Sequence, residues 1–187
     1  MLGSYFGHFL DKPLSSLALK FPMSPNGITV TGFLVTVVAS VILAHNLFWG
    51  GVLMLGAGFF DIFDGVVARV NNKSSSFGAF LDSVLDRYSD SFLFLGAAWF
   101  FLRAGSFTGV CVSLLSMTGA LLVSYVRARA EGLGSDCKVG IMERPERVLL
   151  MAFGALTGWL LPVMWILLVL THLTVAQRIY HVWKTLK

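Results

Sequence analysis

Apolar residues run almost unbroken along most of this chain, and the few polar breaks between the runs mark out its elements. The runs predict six membrane-spanning helices, at residues 28–44, 48–69, 77–101, 107–129, 148–157 and 159–182. The longer ones approach the ~20 residues a helix needs to cross a hydrocarbon core. The fifth is short, and its helix is expected to begin further back, at Pro145, because proline suits a first helical position. Ahead of the spans the pattern changes. Leu10, Leu14, Leu17 and Phe21 recur at helical spacing with Lys12, Ser16 and Lys20 between them, the mark of an amphipathic helix lying on a membrane surface. Pro22, Pro25 and Gly27 then break that helix. The expected fold is an all-α integral membrane protein of six transmembrane helices with a short N-terminal amphipathic surface helix. Residues 1–26 form a juxtamembrane segment and residues 27–187 one membrane domain.

Composition supports this and adds an orientation. Of 187 residues, 56% are hydrophobic and only 13% charged, with mean hydropathy +0.78, against about 25% charged in soluble domains. Placing both termini on one side gives that side Lys12, Lys20, Lys73, Arg127, Arg129, Lys138, Arg144, Arg147, Arg178, Lys184 and Lys187, and leaves only Arg103 for the opposite loops. The termini and charged loops are therefore expected to be cytosolic in a multi-pass cell-membrane protein. The net charge of +4 follows from that bias, and the basic residues face an anionic leaflet without interleaved aromatics, which argues against nucleic-acid binding. The first residues lack a basic stretch followed by a continuous apolar run, so no cleaved signal peptide is expected. Cys111 and Cys137 have no metal-ligand spacing, and His8, His45, His172 and His181 are scattered.

The costly residues lie in the second and third spans. Asp61 and Asp64 are three apart, with Gly65 and Ala68 beside them, and Gly78, Asp82 and Asp86 follow at spacings of four. On helices each set occupies one face. A short polar link, residues 70–77, joins the two spans, so an antiparallel hairpin is expected to bring the four carboxylates together at the cytosolic end. Each costs roughly 2.5–3.5 kcal/mol in a membrane on insertion scales, and their mutual repulsion adds to that. Arg69 and Arg87 can neutralise two at most. Divalent metal is the natural remedy, and oxygen donors without His or Cys favour Mg2+ or Mn2+ over zinc. Gly65, Ala68 and Gly78 leave room for a ligand against the backbone, or equally for close helix packing, the role expected of Gly51, Gly56, Gly58 and Gly96. Asp90, one turn past Asp86, is expected to bond a neighbour or Arg87.

Read in order, Asp61, Asp64, Gly65, Ala68, Arg69, Gly78, Asp82 and Asp86 spell D-x2-D-G-x2-A-R-x8-G-x3-D-x3-D. This resembles the signature of the CDP-alcohol phosphotransferase family at all eight positions, and length and span number fit that family over nearly the whole chain. The resemblance implies two divalent ions, Mg2+ or Mn2+, holding the diphosphate of a CDP-linked lipid. It implies Asp61, Asp64, Asp82 and Asp86 as metal ligands, with Asp86 also the catalytic base. Asp61, Gly65, Ala68, Arg69 and Gly78 would bind the CDP group. Upstream, Pro25, Asn26 and Thr29 resemble the family's Pro-Asn-x-x-Thr element near the nucleotide, although Ser24, Asn26 and Thr29 are also plausible helix N-caps.

The acceptor is read further downstream. Ser124-Tyr125-x-Arg127-Ala128-Arg129-Ala130-Glu131, then Glu143-Arg144-Pro145-Glu146-Arg147, then Gln177-Arg178 resemble the branch that makes phosphatidylinositol phosphate. By that resemblance Ser124, Arg127, Arg147 and Arg178 hold the phosphate of the acceptor, since guanidinium forks pair with phosphate oxygens. Arg129 and Arg144 are assigned instead to orientation and to pairing with Glu131, Glu143 and Glu146. Arg127 stands where this branch often has lysine, and residues 135–142 depart from its glycine-rich loop. The implied partners are CDP-diacylglycerol or CDP-archaeol, a phosphorylated polyol led by inositol phosphate, the bilayer, and a second copy in a homodimer. Glycerol 3-phosphate is the alternative acceptor. An intramembrane cation or proton carrier is the alternative from another class, but it leaves Gly65, Ala68, Gly78 and Arg69 without a role. A metal-dependent prenyltransferase would need separate Asp-rich motifs and more spans.

Overall fold

A computed structural model describes residues 23–71 and 74–186. The expected amphipathic helix lies outside the described residues. Six helices form the described chain: α1 (Pro25–Leu43), α2 (Leu47–Val70), α3 (Ser76–Arg103), α4 (Phe107–Glu131), α5 (Arg144–Thr157) and α6 (Leu160–Thr185), with no strand among the described residues. Their starts follow local chemistry. Ser24, Asn46, Ser75 and Ser106 each accept a hydrogen bond from the backbone amide three residues on, satisfying donors that a helix cannot satisfy for itself. Ser24 does the capping at α1, which leaves Asn26 and Thr29 inside the helix. Pro145 sits in the first turn of α5, and that helix ends at Gly158, whose φ of 76° suits glycine.

Four helices, α1, α2, α4 and α6, are long and apolar enough to cross a membrane. The other two differ for different reasons. α3 has 28 residues but carries Asp82, Asp86, Arg87 and Asp90 within its first fifteen. α5 has 14 residues, or about 21 Å at the usual rise per residue, less than the ~30 Å hydrocarbon core.

The principal contacts close a ring. α1 packs on α2, α2 on α5, α5 on α6, α6 on α4, α4 on α3, and α3 back on α1. Side chains from all six helices fill its middle, among them Leu43, Met54, Phe94, Val112, Met151 and Met164. The hairpin expected of α2 and α3 is therefore opened, because α1 packs against both acid-bearing helices. Small residues allow the tight crossings. A Cβ on Gly96 would lie 2.5 Å from the Ser40 carbonyl oxygen, and one on Gly119 would lie 2.3 Å from Thr171 Oγ1. Gly51 meets Ala155 and Leu156 in the same way, but nothing approaches Gly56 within 4 Å. At the end of the ring away from the carboxylates, Arg103 Nη1 donates to the Ala44 carbonyl at 3.2 Å and lies 2.6 Å from His45 Nδ1.

Candidate active site

The carboxylates gather at the other end, where the last turns of α2, the first turns of α3 and the start of α5 meet. Asp64 is nearly buried, and Thr29 Oγ1 from α1 donates to its Oδ2 at 2.7 Å. Asp61 and Asp86 are joined by a residue that sequence reasoning had assigned to orientation and glutamate pairing. Arg144 places one nitrogen, Nη1, 2.7 Å from Asp61 Oδ2 and 2.8 Å from Asp86 Oδ1. Those two oxygens, from different helices, thus lie within reach of one cation. Arg144 Nε is 3.7 Å from Asp90 Oδ1. Asp90 in turn receives Arg147 Nη2 at 2.5 Å. Its partners are these two arginines of α5 rather than Arg87, which donates to the Ser83 carbonyl on its own helix. The carboxylate motif includes neither residue; the packing of α5 at the ends of α2 and α3 brings Arg144 onto Asp61, Asp86 and Asp90.

Two cavities flank this cluster. One of about 200 Å³ lies between α1, α2 and α3. Pro25, Asn26 and Thr29 line it from α1, Asp64, Gly65, Ala68 and Arg69 from α2, and Gly78 and Asp82 from α3. Space is tight at its edge: a Cβ on Gly78 would stand 3.0 Å from both Asn26 Oδ1 and Ser75 Oγ, and one on Gly65 would stand 3.2 Å from Arg69 Nη1. The second cavity, about 540 Å³, is lined by the charged Asp61, Asp82, Asp86 and Arg144 and by an apolar set that includes Leu55, Phe59, Ile62, Val148 and Leu149. Gly65, Arg69 and Asp82 line both cavities, so the polar one opens beside the apolar one.

Among the described residues, no three His, Cys, Asp or Glu side chains already stand as a closed metal-ligand set. Asp61 and Asp86 are turned onto Arg144, and Asp64 onto Thr29. The donor chemistry nevertheless fits a hard divalent ion, being all oxygen. The Arg144 guanidinium serves as a stand-in cation between two of the carboxylates.

The arginines expected to hold an acceptor phosphate do come together, though not as an open cradle. Arg178 is 2% exposed and donates through Nε to the Val139 carbonyl at 2.8 Å and through Nη1 to the Val123 carbonyl at 2.6 Å. Arg147 is 3% exposed, with Nη1 on the Met142 carbonyl besides its pair with Asp90. Arg127 pairs with Glu131 at 2.9 Å. Glu143 Oε1 lies 3.7 Å from Arg127 Nη1 and 3.8 Å from Arg178 Nη2, so residues 142–147 tie the arginines to the carboxylate cluster. Ser124 is half-buried, next to Val123.

The family model for CDP-alcohol phosphatidyltransferases matches residues 22–177. The chain belongs to that family. An archaetidylinositol phosphate synthase of Methanothermobacter thermautotrophicus is 41% identical over 181 residues, covering 93% of this chain and 90% of that protein. A phosphatidylinositol phosphate synthase of Mycobacteroides abscessus is 36% identical, covering 92% and 83%. In fold, this CDP-alcohol phosphatidyltransferase is similar to the crystal structure of Mycobacterium tuberculosis phosphatidylinositol phosphate synthase with CDP-DAG bound, at TM-score 0.84 and 30% identity over 93% of this chain and 94% of that one. A second crystal structure of the Mycobacterium tuberculosis enzyme contains manganese and citrate and matches at TM-score 0.82.

Proposed function

We propose that this chain transfers the phosphatidyl or archaetidyl group of a CDP-linked lipid to a hydroxyl of inositol phosphate and releases CMP. One observation carries the reading. The nucleotide element of α1 and six of the eight motif residues of α2 and α3 line a single polar cavity, and that cavity shares walls with a larger half-apolar one, which Asp61 and Asp86 line. A CDP-lipid has the same division. Its cytidine belongs beside Asn26, Gly65 and Gly78, where side chains would otherwise fill the space. Its diphosphate belongs at the shared wall of Gly65, Arg69 and Asp82, and its chains along Leu55, Phe59 and Val148.

Asp61, Asp64, Asp82 and Asp86 would hold two divalent ions, Mg2+ or Mn2+, which supply charge neutralisation on the diphosphate as it is attacked. Asp86 accepts the proton of the acceptor hydroxyl on a carboxylate oxygen. The freed oxygen forms a bond to the phosphorus that carries the lipid, the bond from that phosphorus to the bridging oxygen breaks, and CMP leaves. Ser124, Arg127, Arg147 and Arg178 bind the acceptor's phosphate, and the names of the most similar relatives support inositol phosphate in that place. The same reading takes all six helices of residues 27–187 as one membrane domain with residues 1–26 on its surface, in a homodimer with termini and site on the cytosolic side. The basic residues concentrated at that end support this orientation.

The test is purified protein with radiolabelled CDP-lipid, Mg2+ and one acceptor at a time. A lipid product with inositol phosphate is expected. A product with glycerol 3-phosphate alone would overturn the acceptor, and no CMP release with either would overturn the transferase reading in favour of a cation carrier.

A further inference from the structure

Arg144 and the ions of the proposed reaction are drawn to the same carboxylates. Its Nη1 is held by Asp61 Oδ2 and Asp86 Oδ1 at 2.7 and 2.8 Å, and a divalent ion drawn to the same two carboxylates would stand beside this guanidinium, like charge against like. The side chain is only 20% exposed. Its Nε, buried without a hydrogen-bond partner, points to Asp90 at 3.7 Å. That nitrogen is therefore not committed to the arrangement seen here. Without Arg144, Asp61 and Asp86 would face each other as half-buried like charges, which is unfavourable.

We propose that Arg144 is the built-in counter-ion of the metal-free site and competes with the divalent ion for Asp61 and Asp86. The inference rests on the metal-ligand roles given to those residues above. Asp61 and Asp86 therefore turn from Arg144 to the metal as the site is loaded. Asp90 is the anchor that keeps Arg144 close afterwards, because it already faces Nε. Arg144 is thus a positioning residue that sets how tightly the site takes its metal.

The experiment measures Mn2+ binding by electron paramagnetic resonance on purified protein without lipid substrate, together with melting temperature in chelator. Arg144→Gln should bind Mn2+ at least about fivefold more tightly than wild type, the lower end of ordinary coupling between two sites. It should melt below wild type in chelator and approach it at saturating Mn2+. Arg144→Lys keeps the charge and should fall between the two. Arg87→Gln removes a nearby cation that makes no contact with Asp61 or Asp86 and should change affinity less. Unchanged or weaker Mn2+ binding by Arg144→Gln would overturn the inference, as would an equal gain in Arg87→Gln, which would mean a general charge effect. If Arg144→Gln is recovered folded only in Mn2+, that supports it. If wild type and every variant fail to bind Mn2+, the transferase reading falls as well.

Discussion

A base needs a free lone pair, and a pocket needs atoms to be missing; both demands are met here by single residues. Asp86→Asn keeps the shape of the side chain but cannot take a proton. It should lower turnover about 10²- to 10⁴-fold, the usual contribution of a positioned base, while CDP-lipid binding measured by equilibrium dialysis falls far less. Full activity in that variant would remove Asp86 from the role. Gly65→Leu should do the reverse, filling the polar cavity and abolishing CDP-lipid binding with little change in melting temperature, because its Cβ would meet only the end of the Arg69 side chain, which can swing aside. Residue spacing alone pointed to all four carboxylates. It did not point to Arg144 or Asp90, whose partners lie more than fifty residues away in sequence.

Helices were legible where a long apolar run met a capping residue. The sequence boundaries of the first four spans lie within a few residues of α1 to α4, and α5 begins at Arg144, next to the proline expected to open it. What glycine does on each helix was not legible. Gly56 and Gly96 look alike in sequence, yet Gly96 crosses the backbone of α1 and Gly56 meets nothing. Gly96→Val should therefore cost about 1–3 kcal/mol by overpacking, since a carbonyl oxygen cannot swing aside. Gly56→Val should stay within about 0.5 kcal/mol. Denaturation in detergent micelles compares the two, and equal losses would contradict the α1–α3 crossing. Arg178→Ala should also destabilise, by about 1–3 kcal/mol, because buried carbonyls of Val123 and Val139 lose their donor. A loss of acceptor binding in that variant thus needs a stability measurement beside it.

At the scale of the whole molecule, the ring of helices sets one charged end against one nearly uncharged one. With Cys111 and Cys137 replaced, a cysteine at exposed Asp136 should resist an impermeant thiol reagent in intact cells, and one at exposed Phe107 should react. The opposite pattern would reverse the orientation. Hydrophobic runs, basic asymmetry and the carboxylate spacing follow from the chain alone, because each depends on residues near one another in sequence. The placing of α1 between α2 and α3, the division of the site into polar and half-apolar cavities, and the Arg144 bridge depend on which helix faces pack together. Those are long-range choices made by side-chain volume and buried charge across the ring, and only the tertiary structure decides them.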